Sequence, residues 1–208
     1  MKSEGICSFC KKSISGNAIR KHLESCEKRT NSEGEETIFL IKAHDGPFWI
    51  YFEANGSFSL KDIDLFLRRL WLECCGHLSA FTINSSRYFS SPEHGEKGMR
   101  AMIKDAIAKG MKFKHEYDFG TTTLLSLECI SERKGTPLKS IEILARNSLP
   151  DFRCKCGKPA TNVCTECLWE GNGFLCEKCA KSHECGEDML LPVVNSPRMG
   201  MCGYTGED

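Results

Sequence analysis

Two stretches of this chain concentrate the side chains that bind soft metal ions. Near the start, CSFCKKSISGNAIRKHLESC sets Cys7-x2-Cys10 eleven residues ahead of His22-x3-Cys26. Toward the end come Cys154-x-Cys156, Cys164-x2-Cys167, Cys176-x2-Cys179 and His183-x-Cys185, separated by seven, eight and three residues. A CxxC on a tight turn points two thiolates at one ion. A His and a Cys four apart share one face of a helix. Four such sulfur and nitrogen ligands complete a tetrahedral zinc site. The first stretch therefore supplies one site: Cys7, Cys10, His22 and Cys26. The second supplies four ligand pairs, enough for two more: Cys154, Cys156, Cys164, Cys167, Cys176, Cys179, His183 and Cys185. The expectation is three Zn2+ per chain. Cys202, in SPRMGMCGYTG, is a ninth candidate for eight places. Either it or Cys185 could complete the last site, and Cys185 is favoured because His183 lies beside it.

Two other uses of thiols compete with metal. The N-terminal MKSEGICSFC lacks the apolar core of a secretory signal, and no apolar run nears the ~18 residues that span a bilayer. The expected compartment is the cytoplasm, with no membrane partner, and there thiols stay reduced rather than forming disulfides. A redox CxxC would need a βαβ context that these segments lack. Cys74, Cys75 and Cys129 lie in apolar surroundings and are expected to be core thiols.

The elements that must position these ligands fall into three segments, with polar joints at 27–36 and 147–152. Asn17 or Ser15 could cap the helix carrying His22. In the middle, TIFLIKA (37–43) and FWIYFEA (48–54) are expected strands joined by His44-Asp45-Gly46-Pro47; Phe48, Ile50 and Phe52 alternate with Trp49, Tyr51 and Glu53. SLKDIDLFLRRLWLECCGHL is expected as a helix, opened by a Ser59–Asp62 capping box and ended by Gly76. AFTIN is a short strand, EKGMRAMIKDAIAKG a second amphipathic helix, and MKFKHEYDFG, TLLSLECI and LKSIEILA three further strands. The chain of 208 residues, 40% hydrophobic and 27% charged, is ordinary for a globular protein. The expected fold is α+β: a mixed or antiparallel sheet with two main helices, flanked by two small zinc-binding modules. The boundaries are 1–30, 37–146 and 153–208.

Each segment resembles something known. The first resembles a Cys-Cys-His-Cys zinc finger with a ββα layout. The middle, over about 37–146, resembles the plasmid Ri open-reading-frame-three-like family. That likeness rests on FWIYFEANGSFSLKDIDLFL, HLSAF and above all KFKHEYDFG followed by TLLSLE. It implies an α+β fold and no defined activity. Where the family carries an Asp and a Trp-His pair after YDFG, this chain has Thr121, Thr122 and Thr123. The last segment is similar to B-box and MYND-like modules. That resemblance implies a cross-brace, with the first and third pairs on one zinc and the second and fourth on the other. Its few apolar residues, Val163, Leu168, Trp169, Phe174 and Leu175 among them, need metal to fold.

Charge separates the functional options. Formal net charge is zero overall, but residues 1–30 are basic and 147–208 acidic. Seven thiolates and two Zn2+ would make the acidic end more negative still, the wrong sign for a phosphate backbone. Lys11, Lys12, Arg20, Lys21, Lys28 and Arg29 keep a nucleic-acid partner open for the finger. The middle segment shows no nucleophile elbow, phosphate loop or HExxH. His77, His115, Asp118 and Glu128 are its polar candidates; His115 and Glu128 are expected to face solvent. The function expected is a non-catalytic zinc-binding adaptor with a protein partner. The alternatives are a nucleic-acid regulator acting through the finger, and an enzyme with a pocket in the middle domain.

Overall fold

A computed structural model describes residues 3–29 and 33–206. The centre of the expected joint at 27–36 and the outermost residues at both chain ends lie outside them. The chain divides into two compact units: Met1–Leu67 with His77–Ser148, and Arg68–Gly76 with Leu149–Asp208. Among the described residues no helix is long and apolar enough to cross a membrane. The fold is α+β.

The first unit is built on one sheet. Its elements are β1 (Glu4–Cys7), β2 (Ser13–Ser15), α1 (Ile19–Ser25), β3 (Glu36–Asp45), β4 (Phe48–Asn55), α2 (Leu60–Leu67), β5 (Ser79–Ile83), β6 (Ser86–Phe89), β7 (Lys97–Gly98), α3 (Ile103–Ala106), β8 (Lys112–Tyr117), β9 (Thr123–Gly135) and β10 (Glu142–Asn147). The strand order is β2-β1-β10-β4-β3-β9-β8-β5-β6-β7. Every neighbouring pair is antiparallel except β6 with β7. The β3–β4 hairpin turns at Asp45-Gly46, where Gly46 takes φ 51°, a left-handed value that costs glycine nothing.

The segment 1–30 is expected as a small flanking finger, but its β1 and β2 form one edge of this sheet. β1 pairs with β10 in the register Gly5↔Asn147 and Cys7↔Ala145. A side chain at Gly5 would strike the Trp49 ring. β4 is consequently buried along its whole length. Phe52 meets Phe66 of α2 at 4.9 Å between ring centroids, while Trp49 and Tyr51 on the opposite face join Ile19 and Leu23 of α1 in one cluster. Two β-bulges feed that cluster. The register shifts between β3 and β9 and between β4 and β10 leave Ile130 and Leu144 as extra residues, and both side chains lie under the finger.

The capping box forms as the sequence indicates. The Ser59 backbone N–H donates to Asp62 Oδ2 at 2.7 Å, and the Asp62 N–H donates to Ser59 Oγ at 3.3 Å. The long helix expected beyond it does not persist. α2 ends at Leu67, and Arg68–Leu72, in the second unit, is π-helical. The second expected helix, over 96–110, is only the four residues of α3. Its first half instead bonds to the start of α2: Leu60 and Lys61 donate to the carbonyls of Ala101 and Met99, and Ile103 donates to that of Phe58.

In the second unit, β11 (Asn162–Cys164), β12 (Phe174–Leu175), α4 (Glu177–Ala180) and β13 (Leu190–Pro192) follow in order. The three strands make a small antiparallel sheet with β11 central. Trp71, from the π-helical turn, is fully buried, and its carbonyl accepts from Ser196 Oγ at 2.6 Å. The tail after 195 is therefore part of this unit's interior, with Arg198 fully buried as well. Trp169, expected among the buried residues, is 66% exposed.

Candidate metal centres

The finger's ligands converge from three local devices. Cys7 ends β1, and the chain turns back immediately: Lys11 N–H donates to the Cys7 carbonyl at 2.9 Å, with Lys11 at φ 62°. That turn aims Cys7 and Cys10 the same way. His22 rides on α1 and Cys26 closes its C-terminus. Cys10 Sγ stands 3.3 Å from His22 Nε2, and Cys7 Sγ stands 4.0 Å from Cys26 Sγ. All four ligand atoms lie within 4.8 Å of one another, so the group could hold one metal ion. Neither Asn17 nor Ser15 caps α1 with its side chain; the N-cap is Ala18, whose N–H donates to the Ser15 carbonyl.

The basic side chains of this segment do not all face outward. Arg29 Nη2 contacts Glu53 Oε1 at 2.5 Å and its Nη1 donates to the Leu23 carbonyl at 2.9 Å. Arg133 grips the same carboxylate with two bonds of 2.8 and 2.7 Å. Burial works to raise the Glu53 carboxyl, but the two guanidiniums outweigh it and hold it below the usual range. Arg29 is thus a strut between finger and sheet, whereas Lys11, Lys12, Arg20, Lys21 and Lys28 are exposed.

The C-terminal ligands sort into two groups. Cys154, Cys156, Cys176 and Cys179 form one; Cys164, Cys167, His183 and Cys185 form the other. First pairs with third and second with fourth, the interleaving that the module resemblance implies. Cys156 and Cys176 sulfurs are 3.6 Å apart. Cys167 Sγ is 3.7 Å from Cys185 Sγ and 3.5 Å from His183 Nε2. Cys176 and Cys179 open and line α4. A side chain at Gly173 would sit 2.6 Å from the Leu168 backbone, so the turn carrying Cys167 closes only over glycine. Backbone N–H groups of Cys156 and Cys176 lower the Cys154 thiol to about 6. Burial opposes ionisation of Cys164, yet the N–H of Cys167 and the side chain of His183 bring it to about 7. Their neighbours Cys167 and Cys179 are pushed up to about 12 by the adjacent thiols. So many sulfurs at such spacing ionise together only around a cation.

A fourth group was not anticipated: Cys74, Cys75 and Cys202, all in the second unit. Cys74 and Cys75 were expected to be core thiols, but Cys74 is only part-buried and Cys75 is exposed. Its neighbours Cys202 and Cys74 push the Cys75 thiol up to about 11. The signal was present in the sequence as the adjacent pair Cys74-Cys75, masked by the helical periodicity of the run before it. Cys129 is a core thiol as expected, fully buried and driven to about 12 first by burial and then by Glu132 and Glu128.

His115 also departs from expectation. It is fully buried, its Nε2 2.9 Å from Asp64 Oδ1, which also accepts from Ser79 Oγ at 2.6 Å. Asp64 and Ser79 are fully buried too, and Lys61 Nζ reaches Asp64 Oδ2 at 3.0 Å. His77 is part-exposed, 3.7 Å from Asp118 Oδ2. Asp118, at φ 64°, accepts from the Gly120 N–H at 3.0 Å in a local turn.

Comparison with known proteins adds little to this geometry. No family model matches the chain, and no curated protein does. Among solved structures, a protein of unknown function from Methanosarcina mazei Go1 is similar at TM-score 0.40 and 13% identity, over 52% of this chain and 62% of that one. A likeness of that size says nothing of function. The resemblance to the Ri-plasmid family rests on its motif residues alone.

Proposed function

We propose that this protein is a zinc-loaded, non-catalytic adaptor of the cytoplasm that holds a protein partner through its C-terminal module. The observation that carries the reading is the pair of interleaved four-ligand groups, joined to an exposed Trp169. Trp169 sits on the 3-10 turn Cys167–Glu170, which begins with a ligand. A metal ion that fixes Cys167 would therefore fix the indole, and large aromatic side chains are the usual anchors of protein contacts. With zinc bound, this acidic segment would repel nucleic acid. Sulfur and nitrogen ligands with no carboxylate among them favour zinc over harder ions.

The test is capture from a nuclease-treated native lysate by the immobilised, reduced full-length chain. The reading expects a protein partner that survives nuclease, is retained by the wild type and is lost with Trp169→Ala while zinc content stays constant. Equal retention by both chains, or recovery only of nuclease-sensitive species, would contradict it. The exposed Lys11, Lys12, Arg20, Lys21 and Lys28 favour the second reading, a nucleic-acid regulator, and nuclease sensitivity is its signature.

A further inference from the structure

Of the fourteen cysteines in the chain, the three expected sites use ten. Cys74, Cys75 and Cys202 lie in the second unit and come together although Cys202 is 127 residues beyond Cys75. We propose that these three cysteines form a fourth zinc site, with every sulfur ligand drawn from this one unit.

The spacing is that of ligands around one ion. Cys75 Sγ and Cys202 Sγ are 3.6 Å apart, against 3.6, 3.7 and 4.0 Å for sulfur pairs in the three expected sites. A disulfide would need about 2.05 Å. Two thiolates on a tetrahedral zinc, each about 2.3 Å from it, stand roughly 3.8 Å apart.

The loops on either side are shaped to deliver these ligands. Glu73 accepts from the Gly76 N–H at 2.6 Å while receiving Arg68 Nη1 at 2.8 Å. Gly76, at φ 72°, then closes the loop behind Cys74 and Cys75, which come together with Cys202. Cys202 adopts φ 49° between Gly200 and Gly203, themselves at 79° and 70°. Holding a non-glycine residue in that left-handed region needs compensation from its surroundings, and a metal–sulfur bond supplies it.

Charge gives a further reason. Three thiolates around Zn2+ make a monoanion, and the guanidinium of the fully buried Arg198 brings positive charge beside it, its Nη2 3.6 Å from Cys74 Sγ. The Ser196 hydroxyl fixes its backbone, accepting the Arg198 N–H at 2.9 Å. With this site assigned, Cys129 alone of the fourteen cysteines lies outside a metal group.

The inference does not depend on the adaptor reading. It is tested on the full-length, reduced chain, purified without chelator and counted for metal by elemental analysis and native mass spectrometry. Wild type should carry four zinc ions and Cys202→Ser three, with unchanged circular dichroism. After cobalt exchange, thiolate-to-metal absorption should fall by about a quarter in the variant, since one of four such centres is lost. Cys75→Ala approaches the same ion from the other loop and must also lose one equivalent. Three ions in the wild type, unchanged metal in either variant, or a Cys75–Cys202 disulfide in protein kept from oxidants would overturn the proposal.

Discussion

Glu53→Gln should destabilise the first unit more than any other single exchange of similar size. Glu53 is 2% exposed and accepts three hydrogen bonds from two arginines. Glutamine keeps the shape but leaves two guanidiniums facing a neutral amide. Breaking a buried ion pair from one side costs about 3–5 kcal/mol. At about 2–4 °C per kcal/mol for a protein of this size, that is roughly 6–20 °C in Tm. Arg29→Ala keeps the Arg133 fork and should cost less, about 1–3 kcal/mol. Urea titration of both variants, with metal content checked, measures the two. The pH dependence has a definite sign. A carboxyl held below its ordinary value of 4.5 contributes its full stability above that value and loses it as pH falls through the folded pKa. The gap between wild type and Glu53→Gln should therefore be flat from ~pH 6 to 8 and close below about 4.5. Thiolate protonation weakens both chains alike and cancels in the difference. A cost under about 1 kcal/mol, or a gap that widens in acid, would refute the reasoning.

Other outcomes follow from the same geometry. Cys176→Ser should lose zinc and unfold the C-terminal module, whose small core is itself made of ligand cysteines with Leu175 and Ala180. Cys129→Ser, at a buried thiol outside every group, should leave the metal count unchanged; equal zinc loss from both variants in elemental analysis would show the cysteines wrongly divided. The adaptor account expects no detectable DNA or RNA binding by the full chain at physiological salt in a gel shift. If the finger does bind, five exposed basic residues rather than six are available. With about three phosphates engaged, the log K against log salt slope should then be near −3, and Arg29→Ala should not change it.

Much of this was legible in local sequence. The Asp45-Gly46 turn and the Ser59–Asp62 box are contiguous signals, and each forms where it was expected; the cysteine and histidine pairs are contiguous too, and they come together in groups that could hold metal. What failed depends on distant partners. The Ala- and Lys-rich stretch 96–110 has helix propensity, but its backbone is claimed by residues 58–61. β1 looked like part of an isolated finger because its partner β10 lies some 140 residues away. Cys202 looked surplus because its neighbours are at 74 and 75. His115 was a misjudged period. In KFKHEY it shares parity with Phe113 and Tyr117, which are both buried, and alternation alone puts all three on the inner face.

The account stands on the claim that these cysteines and histidines are metal ligands. Native mass spectrometry of the reduced full-length chain, purified without chelator, tests it most directly. The expected species carries four zinc ions, three from the groups legible in sequence and one at Cys74, Cys75 and Cys202. A folded, metal-free chain with its thiols paired as disulfides would contradict it.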